Sequence, residues 1–244
     1  MKTNEVALPR RWLVTGASRG IGRAIASRIV ASGERVCILA RGEGGQTAAR
    51  EIGGGAVAVA ADVADPEAVK TAVDKAVELL GGLDVVVNNA GQHRGGRVDA
   101  LSLQDWNCTL ATNLGGPLHV IRAALPHLGA GGAIVNIGAV VGYRGFAGDS
   151  CYGASKAGLA GLSQVLSAEL APRGIRVNLV VPGFVMSEMT NTVSERARQG
   201  IIAKIPMGRI GEAEEIADVV WWVAGSSYMT GSVIVTDGGL MGSL

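Results

Sequence analysis

Cysteine is scarce in this chain: Cys37, Cys108 and Cys151 are odd in number, far apart and form no CxxC pair. That excludes a disulfide framework and fits reduced thiols in a cytoplasm, with Cys37 read as a small core residue of a strand. Histidine is equally sparse, and His93, His119 and His127 show no metal-ligand spacing, so no metal site is expected. An excess of either charge is missing too. The 22 Lys and Arg nearly match the 21 Asp and Glu, leaving a net charge of +1, which argues against a broad electrostatic surface for nucleic acid or membrane. No apolar run reaches the roughly 20 residues that span a bilayer. The opening MKTNEVALPRR is short and polar, unlike a signal peptide. With no repeat, low-complexity tract or Pro/Ser-rich linker, residues 1–244 are expected to form one domain.

Apolar residues make up 48% of the chain, and the 37 glycines sit mostly at the ends of apolar runs, where tight turns are needed. Seven short, near-continuously apolar runs read as strands covered on both faces: Trp12–Thr15, Arg35–Ala40, Ala56–Ala60, Asp84–Asn88, Ala133–Ile137, Arg176–Val181 and Val233–Val235. Helical patterns fill the gaps over Gly20–Ser32, Glu43–Ile52, Pro66–Leu80, Leu103–Leu128, Tyr152–Ala171 and Glu212–Ala224. Asp65 before Pro66 is a good N-cap followed by proline at the first helical position. Such alternation predicts an α/β fold, a single doubly wound domain whose seven-stranded parallel sheet is flanked by helices. Ligands of such sheets bind outside the carboxyl ends of the strands, so the loops after each strand are where chemistry should lie.

The first strand runs into Thr15-Gly16-Ala17-Ser18-Arg19-Gly20-Ile21-Gly22. Glycines spaced GxxxGxG supply a tight turn, a close backbone approach to a pyrophosphate and a helix N-terminus with unpaired N–H groups. Gly16, Ser18, Arg19, Gly20, Ile21 and Gly22 are therefore candidate cofactor contacts. The second strand ends at Arg41 rather than at the Asp or Glu that would hold an NAD ribose hydroxyl. Arg41 and Arg19 suit a 2′-phosphate through charge-assisted contacts, and NADPH/NADP+ is the expected cofactor.

At this point the chain resembles the short-chain dehydrogenase/reductase family. The motifs follow in family order: Thr15–Gly22, Asp62-Val63, Asn88-Asn89-Ala90-Gly91, Asn113, Tyr152-Gly153-Ala154-Ser155-Lys156, Pro182-Gly183 and Asp237-Gly238-Gly239. The resemblance implies a Rossmann-type domain with cofactor elements mainly over 12–115 and catalytic and substrate elements mainly over 133–205. It implies that Asp62 and Val63 lie beside the adenine, and that Asn89, Ala90 and Gly91 line the cofactor. Pro182 and Gly183 would join them, with Val185 and Ser187 reaching the nicotinamide carboxamide. Asn113 would hold a water in a proton relay with Lys156, and Tyr152 would be the general acid that protonates a ketone oxygen. A free tyrosine, with a pKa near 10, is poorly placed for that work. A lysine four residues on, on the same side of a helix, is expected to lower it.

One position departs from the family pattern. The serine thirteen residues before the tyrosine, which normally donates to the substrate oxygen, is replaced by Ala139; losing such a donor costs about a hundred- to a thousandfold in rate. Three readings stand open: an engineered Ser→Ala change, a natural enzyme that needs less activation or recruits Ser150 or Tyr143, and a cofactor binder impaired in catalysis.

Within the family the chain is most similar to 3-oxoacyl-ACP reductases and polyketide ketoreductases, through Val140-Val141-Gly142, Tyr152–Gly158, Ala171–Asn178 and Val181-Pro182-Gly183-Phe184. That similarity implies reduction of a 3-oxoacyl-type ketone and an acyl carrier protein docked near the active-site mouth, for which Arg173 matches one basic position while Ala130 occupies the other. A small carrier-free ketone or an imine is the alternative. Ser187–Ala203 is the expected substrate lid, with Met186 just before it and Met189, Thr190, Asn191 and Thr192 in it. His93, Arg94, Tyr143, Ser150 and Met189 are the candidate substrate contacts. Relatives pair the long helices and the C-terminal strand region, so a homotetramer is expected.

Overall fold

The computed structural model describes residues 9–186 and 195–242. Seven parallel strands form one sheet in the order β3-β2-β1-β4-β5-β6-β7. They are β1 (Arg11–Thr15), β2 (Arg35–Ala40), β3 (Val57–Ala60), β4 (Leu83–Asn88), β5 (Leu128–Ile137), β6 (Arg176–Pro182) and β7 (Val233–Thr236). The chain reverses its direction of travel across the sheet between β1 and β4, and the crevice beyond their carboxyl ends is the switch point where ligands bind in such folds.

Alternation along the strands divides the core in two. Trp12, Val14, Val36 and Ile38 face α1 (Gly20–Ala31) and α8 (Ala213–Gly225), whereas Leu13, Cys37, Leu39 and Val86 face α3 (Pro66–Leu80) and α5 (Gly116–Ala124). Cys37 is fully buried, and burial pushes its thiol up to about 12, in keeping with a core role. Asp65 caps α3 by accepting from the Glu67 and Ala68 N–H groups, and Gly81 ends it in the left-handed region at φ 74°. The shorter α2 (Gly44–Ile52) packs on β2 and β3, and α7 (Glu195–Ile202) is a helix that the sequence does not show separately.

The helix expected over Leu103–Leu128 is not continuous. It consists of α4 (Leu103–Leu110), one π-turn (Ala111–Gly115) and α5, and Leu128 already belongs to β5. Pro117 has no N–H to give to the carbonyl four residues earlier, which is that of Asn113. The ladder is interrupted there, and the turn widens around Asn113. The long helix α6 (Ser150–Leu170) starts two residues earlier than its apolar pattern suggests.

Candidate active site

The glycine loop closes on the loop after β4. Thr15 Oγ1 accepts from the backbone N–H groups of Asn89 and Ala90, both at 3.0 Å. Asn89 Nδ2 donates to the Thr15 and Gly16 carbonyls at 3.0 and 3.1 Å. A Cβ on Gly16 (φ +66°) would stand 2.7 Å from Ala90 Cα, and one on Gly22 would stand 2.4 Å from Asn89 Nδ2. Only glycine fits these positions. Gly20 and Ile21 begin α1, and its N-cap residue Arg19 makes no side-chain capping bond. A backbone cradle at a helix N-terminus fits a dinucleotide pyrophosphate. Ser18 lies on the same loop, beside the start of α2, where a Cβ on Gly44 would reach its Cβ at 3.3 Å.

Arg41 follows β2 with its side chain 73% exposed and Nη1 3.8 Å from Asp62 Oδ2. At that distance and exposure the pair is weak, so the guanidinium is available to a phosphate. Asp62 Oδ1 accepts from Ala64 N–H at 3.0 Å. Val63 is buried, and its carbonyl meets His119 Nδ1 at 3.0 Å. Past β6, a Cβ on Gly183 would stand 2.6 Å from Asp237 Cα, so Pro182-Gly183 packs directly on Asp237-Gly238-Gly239. Val185 is buried and pairs with Gly211.

Asn113, fully buried in the π-turn, is clamped through its side chain. Oδ1 accepts from Gln92 N–H at 2.9 Å, while Nδ2 donates to the Gln92 carbonyl at 2.9 Å and to Ser155 Oγ at 3.1 Å. Lys156, only 5% exposed, donates to the Ile137 carbonyl at 2.7 Å, and its Nζ lies 5.7 Å from the centre of the Tyr152 ring. A Cβ on Gly91 would lie 3.4 Å from Asn113 Oδ1 and 3.8 Å from Lys156 Nζ. The fold thus gathers Gly91, Asn113, Tyr152 and Lys156 from three separate segments. Burial lowers Lys156 to about 8. The expectation that Lys156 lowers Tyr152 is not met in the chain alone: burial, with the nearby Asp149 carboxylate, pushes the phenol up to about 12. A desolvated ammonium engaged with a carbonyl does not offset that cost. Ala139, in extended backbone at φ −165°, is the N-cap residue of a 3-10 turn over Val140–Gly142; its methyl cannot donate.

Of the substrate candidates among the described residues, His93 is in contact with Tyr152. Its ring stands edge-to-face on Tyr152, centroids 5.1 Å apart, and its Nε2 meets Asp149 Oδ1 at 2.6 Å. Arg94 pairs with Asp105 at 2.6 Å. Tyr143 is 44% exposed and Ser150 opens α6 on its exposed side. Ser187 and Met189, with Thr190, Asn191 and Thr192 of the expected lid, lie outside the described residues. Arg173 is not at the crevice of its own chain. It precedes β6 at the amino ends of the strands, where Gly131 N–H donates to the Gly174 carbonyl, and it donates to the Leu125 carbonyl at 2.8 Å beyond the end of α5. Gln92 and Asp149 are the contributors that motif reading missed, while Thr15 and Ser155 stood in the motifs without a role. Asp149, one helical turn before Tyr152, was the one with a visible signal. Among the described residues no group of three His, Cys, Asp or Glu could hold a metal ion, and no helix is long and apolar enough to cross a membrane.

A family model described as enoyl-(acyl carrier protein) reductase matches residues 16–241. The chain is 39% identical over 233 residues to the 3-oxoacyl-(acyl-carrier-protein) reductase of Escherichia coli, covering 93% of this chain and 96% of that one. It is 41% identical over 230 residues to the reductase of the same name from Homo sapiens, with the same coverage. A solved short-chain dehydrogenase from Burkholderia cenocepacia, in complex with NADP, matches with a TM-score of 0.89 and 40% identity, over 95% of this chain and 97% of that one.

Proposed function

The chain belongs to the short-chain dehydrogenase/reductase family, and from that premise we propose that it reduces a ketone to a secondary alcohol with NADPH, a 3-oxoacyl thioester being the favoured substrate. The observation that carries the reading is the placement of Tyr152 over the buried ammonium of Lys156, beside Asn113, at the mouth of the glycine-lined crevice. NADPH, held by the glycine loop, Arg41 and Asn89–Gly91, would supply the hydride to the carbonyl carbon. Tyr152 gives its phenolic proton to the carbonyl oxygen, and a phenol held near 12 is fully protonated for that step at neutral pH. Lys156 stabilises the phenolate as it forms. Asn113 is locked by its bonds to Gln92, and its carbonyl, left without an N–H by Pro117, would hold a water that leads to Lys156. Ala139 leaves the substrate oxygen without the serine donor.

The 3-oxoacyl preference and an acyl carrier protein partner are supported by the substrate that the relatives' names state, not by the position of Arg173. Cytoplasmic residence is part of the reading, in line with the free thiols of Cys37, Cys108 and Cys151, as is one domain spanning 1–244. The test is loss of NADPH absorbance with acetoacetyl thioester, simple ketones, cyclic imines and crotonyl thioester, the last because the matching family model is named for enoyl reduction. Turnover of the acetoacetyl thioester, abolished by Tyr152→Phe while NADPH still binds, is the expected result. Turnover of the crotonyl or imine substrates alone overturns the ketone assignment.

A further inference from the structure

The loop after β4 is fastened to the start of α6 at three points. Gly96 N–H donates to the Gly148 carbonyl at 2.7 Å, Cys151 Sγ donates to the Arg94 carbonyl at 2.9 Å, and His93 Nε2 meets Asp149 Oδ1 at 2.6 Å. The last contact diverts Asp149 from the role its position invites. It is the N-cap residue of α6, where a carboxylate ordinarily accepts from the helix's first N–H groups, yet its side chain makes no capping bond. The imidazole so held stands edge-to-face on Tyr152 at 79°. Gly95 accommodates it, since a Cβ there would come within 3.0 Å of His93 Cε1. The side chain is 36% exposed, and its Nδ1 makes no hydrogen bond among the described residues.

We propose that His93, oriented by Asp149, is the second hydrogen-bond donor of this site and takes the place of the hydroxyl absent at Ala139, offering Nδ1–H to the substrate oxygen beside Tyr152. The inference rests on the ketone-reduction reading above. His93 exchanges no atoms: the proton that ends on the product is that of Tyr152, and His93 contributes a hydrogen bond that strengthens as the oxygen gains negative charge. An imidazolium donates more strongly than a neutral hydroxyl. The Asp149 carboxylate raises His93 above its ordinary range and keeps it protonated nearer neutrality. The charged and titratable groups around it are Asp149 and Tyr152 from α6, with Lys156 beyond the Tyr152 ring, and Arg94 on its own loop, engaged by Asp105 of α4. Deprotonation of His93 as pH rises therefore removes a positive donor and leaves Asp149 uncompensated, so reduction falls on the alkaline side.

A double-mutant cycle with acetoacetyl thioester as the probe tests this, NADPH binding serving as the check on folding. His93→Phe keeps the ring and its contact with Tyr152 but cannot donate. It is expected to lower kcat about a hundredfold at near-neutral pH and to leave on the alkaline side of the pH profile only the loss that deprotonation of Lys156 causes. Ala139→Ser is expected to restore most of that loss in His93→Phe and to add little to the unaltered chain. In the unaltered chain the His93 imidazole resonance should titrate above the ordinary value of about 6.5, and Asp149→Asn should bring it down. An equal gain from Ala139→Ser in both backgrounds, or a His93 resonance at or below the ordinary value, overturns the assignment of His93 alone. Silence of every variant on acetoacetyl thioester with NADPH still bound overturns the reduction reading, and this inference with it.

Discussion

Lys156 is the residue at which function opposes stability most directly. Its ammonium is almost fully buried with one carbonyl partner, and burial lowers it to about 8. Folding then favours the neutral amine, so the energetic cost is fully present below pH about 8 and is relieved as pH rises toward the ordinary lysine value near 10.4. That cost is on the order of 3 kcal/mol before the hydrogen bond to Ile137 is counted. Lys156→Met is therefore expected to raise the melting temperature by a few degrees at pH 7 while removing reductase activity; calorimetry and NADPH oxidation on one preparation read both. A second prediction concerns Arg41. With a charge-assisted contact worth about 1.5–3 kcal/mol, Arg41→Asp should weaken NADPH about tenfold to a hundredfold and improve NADH. Unchanged kcat/KM ratios for the two cofactors would show that Arg41 reads no phosphate.

At the scale of the element, the π-turn and α6 set the geometry. Pro117 withholds an N–H from the Asn113 carbonyl, and the Asn113 side chain holds the widened turn to Gln92. Pro117→Ala supplies the missing donor. It is expected to leave the melting temperature unchanged or higher and to lower kcat, with KM little moved; full activity would show that the widened turn holds nothing the reaction needs. Helix α6 is tied to the sheet by a buried polar ladder. Asn88 Nδ2 donates to Asn136 Oδ1 at 2.8 Å, Asn136 Nδ2 to Ser163 Oγ at 2.8 Å, and Ser163 Oγ to the Leu159 carbonyl at 2.7 Å. Ser163→Ala orphans the Asn136 amide, at a cost of about 1–3 kcal/mol. Thermal unfolding should register that loss even though Ser163 lies two turns from Lys156.

At the scale of the whole molecule, packing covers both faces of the sheet but not every apolar side chain. Trp222 of α8 is 55% exposed, Tyr228 is fully exposed in the connection to the edge strand β7, and Val235 of β7 is 42% exposed; Leu103 at 79% and Val165 at 56% mark α4 and α6. Large apolar groups left in water fit interfaces between copies, and we propose that they serve a homotetramer. Trp222→Glu should reduce the mass measured by light scattering, and an unchanged mass would place the contact elsewhere.

Strand positions, the glycine cradle and the Tyr152–Lys156 pair were legible in the sequence, because each depends on residues close together along the chain: apolar runs, helix caps and a four-residue spacing on one helix. The sequence also marked Ala139 as the departure, and Arg41 as the cation in place of a carboxylate. Only the tertiary structure brought His93 to Asp149 across 56 residues and Asn113 to Ser155 across 42. It also broke the helix expected over Leu103–Leu128, and it moved Arg173 to the end of the sheet away from the crevice. The same holds for ionisation. Desolvation depends on what packs around a group from every side, so it was the fold that pushed Tyr152 up and Lys156 down.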